Sequence, residues 1–467
     1  MIKNIVLKPV AILLLIAMTF TACRTKEPLP VVENYSGIEL TYYKVFDDED
    51  VMGPLLRKFE TSHPGLKINY KKFSDFSEYQ QLVLNEMAEG EGPDILSMQN
   101  TWFASNYRKL EPLPDGMGTV GEFEKAFVEV AYEDLVRPDE EGVDRVYGMP
   151  MTVDTLALYY NKDHFEDALP ERGRPAETWE GIKEDVVQLN KEDSSFDRFE
   201  LSGIAMGRAD NISRAVDILY LLFLQHGVDF YNSNISSSSF ANVDSFLGSF
   251  PAEDAIELYV SFADEDQKHY SWNEFVVDDN SAEKEIEAFA RGDVSMIIGY
   301  AYTYDLIQNQ IDVLKNSGVN TIDDDAVRTA PIPQLYDPAT SSEKRVTYAS
   351  YFAEGVSRNS EHPELAWELL MFLIEQENLE FYFEETNKPT SRRDMIDDQK
   401  KHPIFGVFAS QVGYAESFPI FDYYRYEEIF ADAIFKANSG GYLPKILTDA
   451  ENLIDDMIPS EGILPKN

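Results

Sequence analysis

The chain is predicted to be an α/β protein of two domains on three observations. Strand and helix patterns alternate from the first folded segment onward. Short, nearly continuous apolar runs recur at Pro93–Met98 and Val294–Gly299, the kind of run a strand buried on both faces requires. The length, 467 residues with 44 % hydrophobic composition, exceeds what one core holds.

Each element has its own local reason. Ile38–Tyr43 partly alternates apolar and polar residues and reads as a strand. A helix follows the acidic loop Asp47–Asp50, with Leu55, Leu56 and Phe59 on one face and a stop at His63-Pro64-Gly65. Leu66, Ile68 and Tyr70 alternate with Lys67 and Asn69 as a second strand. Tyr79, Leu82, Val83 and Met87 fall at helical spacing before Gly90 and Gly92, and Pro93–Met98 is the third strand. In such a pattern ligands gather outside the carboxyl ends of the strands. Farther on, 146–151 and 155–161 read as extended, 213–226 and 253–263 as helical, and 294–299 as another buried strand. Tyr348–Val356 is a strand or loop. Pro363 opens a helix striped by Leu365, Leu369, Phe372 and Leu373, at a position where its missing N–H is no loss. Loops are expected at 170–175, 194–197 and 236–239.

Charge and cysteine usage exclude whole function classes. Eighty-four acidic against 40 basic residues leave a net charge of −44. Nucleic-acid binding loses its dominant attraction at that charge, and so does adhesion to an anionic membrane through a basic face. With 29 Phe, 26 Tyr and 4 Trp the chain is nonetheless equipped to fold. Lys3 and Lys8 precede an apolar run, Val10–Met18, and then the small residues Thr21 and Ala22, the order of a secretory signal. The single cysteine, Cys23, excludes an intramolecular disulfide and any multi-cysteine metal site. Phe20-Thr21-Ala22-Cys23 resembles the lipobox of bacterial lipoproteins, with Phe20 where Leu is usual. The expectation is a signal peptide over 1–22, a lipid on Cys23 and a tether over 23–35.

Five stretches in register resemble the family 1 extracellular solute-binding proteins of ABC importers, the maltose-binding-protein-like class. They are Leu55–Tyr70, Gly92–Leu96, Tyr147–Pro150 running on to Leu158–Asp163, Phe289–Met296 with Ala330–Pro333, and Val356–Trp367. The resemblance implies a bilobal, periplasmic-binding-protein-like (type II) fold with a ligand cleft between two α/β lobes. It places the N-terminal lobe at 36–152 plus 331–356 and the C-terminal lobe at 153–330 plus 357–467. Crossings are expected near Met151–Asp154, Ala330–Pro333 and Val356–Asn359. The implied partners are a carbohydrate and the membrane subunits of an importer, with the membrane reached through Cys23, in a monomer that needs no cofactor. Hinge closure around the ligand is the expected working motion.

A sugar site calls for aromatic platforms and side chains that both donate and accept hydrogen bonds. Asn100 and Trp102 follow the third strand at its carboxyl end, and the resemblance adds Gln99 to that loop; Trp102 also suits inward packing. Tyr42 and Tyr43 end the first strand and point to opposite faces, and Tyr43 is the choice. The resemblance brings in Asp154 past the first crossing, Tyr160 from the second lobe, and Tyr351 beside Phe352. It also brings in Tyr300 and Tyr302 in Gly299–Tyr304, where tyrosines replace the usual tryptophan. Arg392 is a further candidate. The clusters Asp47–Asp50, Asp278-Asp279 and Asp323–Asp325 lack the EF-hand pattern and read as solvated loops.

An enzyme, such as a glycoside hydrolase, finds no support. Gly-x-Ser-x-Gly, His-Glu-x-x-His and the phosphate-loop pattern are all missing, and the six histidines are scattered. The same fold binding a polyamine, peptide or polyol is the alternative, followed by an adhesin.

Overall fold

A computed structural model describes residues 35–192, 199–241, 250–276, 284–459 and 463. The signal segment, Cys23, Ser194–Asp197 and Asp278-Asp279 lie outside the described residues.

The first sheet is built from the predicted opening. Strands Lys67–Phe73, Glu39–Val45 and Ile95–Gln99 lie side by side in parallel. Strand Phe352–Ser357 pairs antiparallel with Ile95–Gln99 and carries Leu110–Glu111 and Met149–Pro150 on its other side. Ile95–Gln99 is buried at all five positions, as its unbroken apolar pattern requires. Helices Glu49–Ser62 and Phe76–Ala88 supply the parallel crossovers. The second helix is capped by Asp75, whose carboxylate accepts the Glu78 N–H at 2.8 Å.

The second lobe is organised by a smaller antiparallel sheet, Met296–Gly299 against Ala157–Asn161 against Val327–Ala330. Helix Ala215–Gln225 runs through its core with nine residues buried, which is why its sequence is apolar almost all round. Helices Tyr423–Asn438 and Leu443–Asp455 close this lobe, and the sequence reading had not singled them out. Each lobe has its own core, one around Tyr42, Trp102 and Trp367, the other around Trp179, Trp272 and Tyr220. Among the described residues no helix is long and apolar enough to cross a membrane.

The lobes meet at three short strands. Thr347–Ser350 pairs with Asp154–Thr155 on one side and Ala415–Glu416 on the other. Val153 packs in the first core and Leu156 in the second, so the expected crossing near Met151–Asp154 lies here. The other expected crossings are displaced. Val327–Ala330 and Ile332 stay with the second core, and the return crossing falls between Tyr348 and Ala349. Val356–Asn359 is not a crossing, because Phe352–Ser357 is an inner strand of the first sheet. The lobe boundary at 357 shifts for the same reason. Helix Pro363–Leu373 buries Leu365, Trp367, Leu369 and Leu370 in the first core, and Leu379, Tyr382 and Met395 join them. Phe405 and Phe408 pack in the second core, Val412 and Ala415 touch the first again, and from Phe418 onward the chain stays with the second.

Candidate functional site

The chain folds so that a cavity of about 610 Å³ opens where the three crossing strands join the lobes. The carboxyl end of Glu39–Val45 delivers Lys44, Phe46 and Asp47, and the end of Ile95–Gln99 delivers Gln99. Phe76 begins its helix there, while Asp154, Ser350 and Tyr351 come from the crossings. From the second lobe come Arg214, Tyr300, Tyr302, Tyr423, Tyr424 and Glu427. Gly299 makes the Tyr300 turn possible: a Cβ there would sit 2.5 Å from the Thr303 hydroxyl. A wider hollow of about 900 Å³ exists, but residues of the first lobe alone line it.

The first-lobe wall rests on a buried charge cluster. Lys44 pairs with Glu354 and, at 3.3 Å, with Asp47; all three are at most 5 % exposed. Lys388 and the Tyr382 hydroxyl also donate to Asp47, and the Ser97 hydroxyl donates to Glu354 at 2.9 Å. Burial pushes the Asp47 carboxyl up, but Lys44 and Lys388 outweigh it and hold the group at about 2. Asp47 is therefore not the solvated loop residue its acidic neighbours suggested, although Asp48, Glu49 and Asp50 are exposed.

The second-lobe wall uses tyrosines instead. The Tyr300 hydroxyl donates to the buried Asp217 carboxylate at 3.0 Å, and Tyr423 donates to Glu427 at 3.0 Å. The Arg214 guanidinium lies 3.6 Å from Asp217 and donates to the Tyr423 oxygen at 3.4 Å. Burial, followed by the Asp217 charge, raises the Glu427 carboxyl. Asp154 stands between the walls, half-buried, accepting the N–H groups of Thr155 at 2.9 Å and Ala301 at 3.1 Å. Burial lifts its carboxyl to about 7 against the pull of those donors.

Residues 38–380 match the sequence profile of the bacterial extracellular solute-binding proteins. The chain belongs to this family. A candidate binding protein of Brucella abortus (strain 2308) is 24 % identical over 419 residues, covering 88 % of this chain and 89 % of its own. Two solved solute-binding proteins share the fold. The sugar-binding protein MalE of Xanthomonas citri superposes with a TM-score of 0.69 at 14 % identity, over 90 % of this chain and 97 % of its own. A cyclo/maltodextrin-binding protein complexed with maltotetraose gives 0.67 at 19 % identity, over 90 % and 96 %.

Within this solute-binding protein the sequence candidates separate into two groups. Gln99, Asp154, Tyr300, Tyr302 and Tyr351 line the cavity. Asn100 lies beneath it: its amide donates to Asp134 at 3.0 Å and its oxygen accepts the Tyr351 N–H at 3.2 Å. Trp102 is buried and stacks on Phe76, ring centroids 4.8 Å apart, so it backs the wall without forming it. Tyr43 packs against Phe73 with Lys71 over its ring, outside the cavity, because the alternation of the strand turns it from the face that carries Lys44. Tyr160 meets Phe165 edge-on on the second sheet, also away from the cavity. Arg392 is held by Asp394 and the Ile374 carbonyl and lines the other hollow.

Sequence reasoning missed Lys44, Phe46, Phe76, Arg214, Tyr382, Lys388, Tyr423 and Glu427. The opening strand offered one usable signal. Lys44 shares the strand face of Leu40 and Tyr42, and a lysine on that apolar face needs an anionic partner.

Proposed function

We propose that this protein captures a neutral carbohydrate between its lobes and delivers it to an ABC importer without transforming it. The observation that carries the reading is the composition of the cavity wall. Nine of its lining residues are aromatic: Phe46, Phe76, Tyr300, Tyr302, Tyr351, Phe352, Tyr382, Tyr423 and Tyr424. Between them lie three cations, Lys44, Lys388 and Arg214, and three carboxyl groups, Asp47, Asp154 and Glu427, with both lysines on Asp47. A wall of hydroxyl, cationic and carboxyl groups can both donate and accept, which suits the hydroxyl rim of a sugar, while the rings suit its apolar faces. The sugars bound by the structural relatives favour the same ligand class. Attachment through a lipid on Cys23, action outside the cytoplasm and a monomeric state complete the proposal.

A thermal-shift screen of residues 24–467 against neutral mono- and oligosaccharides, polyamines and peptides tests it. A ligand at about 100 times its Kd adds roughly 2.7 kcal/mol to folded-state stability. The expected result is stabilisation by one saccharide series. Stabilisation by polyamines alone would transfer the site to amines. Silence across the panel from a cooperatively melting protein would overturn the binding role.

A further inference from the structure

Phe46 is the one ring of the cavity wall presented by a backbone conformation that side-chain-bearing residues avoid. Its φ is +71°, and the Asp47 N–H donates back to the Val45 carbonyl at 3.0 Å. A hydrogen bond from residue i+2 to residue i across a positive φ is a γ-turn of the rare, strained kind. Glycine takes this region without penalty, whereas a Cβ meets the carbonyl oxygen, so the turn favours glycine and carries phenylalanine.

Packing of the ring does not explain the choice. Phe46 is 48 % exposed, and among the described residues its one ring neighbour is Phe352, edge-on at 5.8 Å. What holds the turn is everything around it. The Phe46 N–H donates to the Phe73 carbonyl at 2.8 Å, the Asp47 carbonyl accepts the Tyr70 hydroxyl at 2.7 Å, and the Asp47 carboxylate is fixed by Lys44, Lys388 and Tyr382. A strained residue locked by its surroundings, with an apolar ring left uncovered in a cavity, is the pattern of a pre-organised contact. Across the cavity Tyr302 is similarly uncovered, 44 % exposed, with its ring nearly parallel to Tyr300 at 5.8 Å.

We infer that Phe46 is a specificity-determining platform whose strained turn holds its ring in place to cover the apolar face of a pyranose unit. This rests on the carbohydrate reading above and assigns one face of that ligand to one residue. The flat C–H face of the sugar buries the ring surface that water now covers. A unit with an axial hydroxyl on that face is excluded, because the hydroxyl would be pressed against carbon without a partner.

The test uses the chain from residue 24 and two variants. Phe46→Gly removes the ring and relieves the turn; Phe46→Ala removes the ring and keeps the strain. An array of neutral mono- and oligosaccharides identifies the ligand of the parent protein, and calorimetry measures its Kd in all three. The expected result is a loss of about tenfold or more in both variants. The ligand-free melting temperature should stay near the parent value in Phe46→Gly and lie lower in Phe46→Ala. Unchanged affinity with melting lowered by several degrees in both variants would overturn the assignment and make Phe46 a packing residue. A parent protein that retains no saccharide on the array would overturn the carbohydrate reading and the platform with it, and that outcome is visible before either variant is made.

Discussion

The two walls of the cavity solve one problem by different chemistry. The first-lobe wall is anchored by ammonium and carboxylate groups buried together, Lys44 with Glu354 and Asp47, drawn from segments more than 300 residues apart. The second-lobe wall is anchored by tyrosine hydroxyls on carboxylates, Tyr300 on Asp217 and Tyr423 on Glu427, with Arg214 alongside. Buried ion pairs tolerate no missing member, because the survivor keeps its full desolvation penalty. A tyrosine that loses its hydroxyl leaves a smaller debt and keeps its ring. Deleting a charged member of the first wall should therefore cost more stability than removing a tyrosine hydroxyl from the second.

The largest expected effect breaks the first wall. Glu354→Leu leaves the Lys44 ammonium, 4 % exposed, with Asp47 as its remaining carboxylate. We expect a loss of about 3–5 kcal/mol in urea-unfolding stability. A change below about 1 kcal/mol would show that water reaches Lys44 and that the walls do not differ in kind.

Tyr300→Phe probes the second wall in the same assay. It removes the hydrogen bond to Asp217 while leaving the ring, and about 1–3 kcal/mol should be lost. A loss equal to that of Glu354→Leu would erase the proposed contrast.

Asp154, between the walls, gives a smaller effect that is read as a slope. Its carboxyl titrates at about 7 in the folded chain against 3.8 as the ordinary value. Between those two pH values the folded chain holds a proton that the unfolded chain has released. That proton favours folding at the acidic end, and the advantage disappears as pH rises toward 7. Asp154 thus contributes a stability that declines with rising pH by up to about 1.4 kcal/mol per pH unit within that window. Subtracting the profile of Asp154→Asn from that of the parent should isolate this slope. Parallel profiles would mean that the carboxyl titrates at its ordinary value.

The smallest expected effect is none. Tyr43→Ala and Tyr160→Ala replace residues that lie outside the cavity, so Kd for the saccharide identified by array should change less than about twofold. A larger change in either would extend the walls beyond the residues that now line them.

Much of the fold was legible in advance because local patterns carried it. The alternation of Leu66, Ile68 and Tyr70 marked a strand, His63-Pro64-Gly65 stopped a helix, and the apolar run before Gln99 became an inner strand. At the site the same reasoning reached Gln99 and the Tyr300–Tyr302 turn, both at strand ends. It failed at Tyr43 and Tyr160, where a strand-end aromatic faces away from the cavity. It was blind to Lys388 and Tyr382, which reach Asp47 from the far end of the chain. It also divided the lobes wrongly after 357, because an amphipathic helix such as Pro363–Leu373 does not specify which of two sheets it will cover.

The sequence by itself determined that this is an α/β protein of two cores, that its charge repels polyanions, and which family it joins. Those properties follow from composition and from order over a dozen residues at a time. The tertiary structure alone decided which aromatic rings face the cavity, that Asp47 is buried and paired instead of solvated, and that Phe46 stands on a strained turn. Such facts depend on contacts between segments hundreds of residues apart, where a side chain's burial and its partner are set by what packs against it.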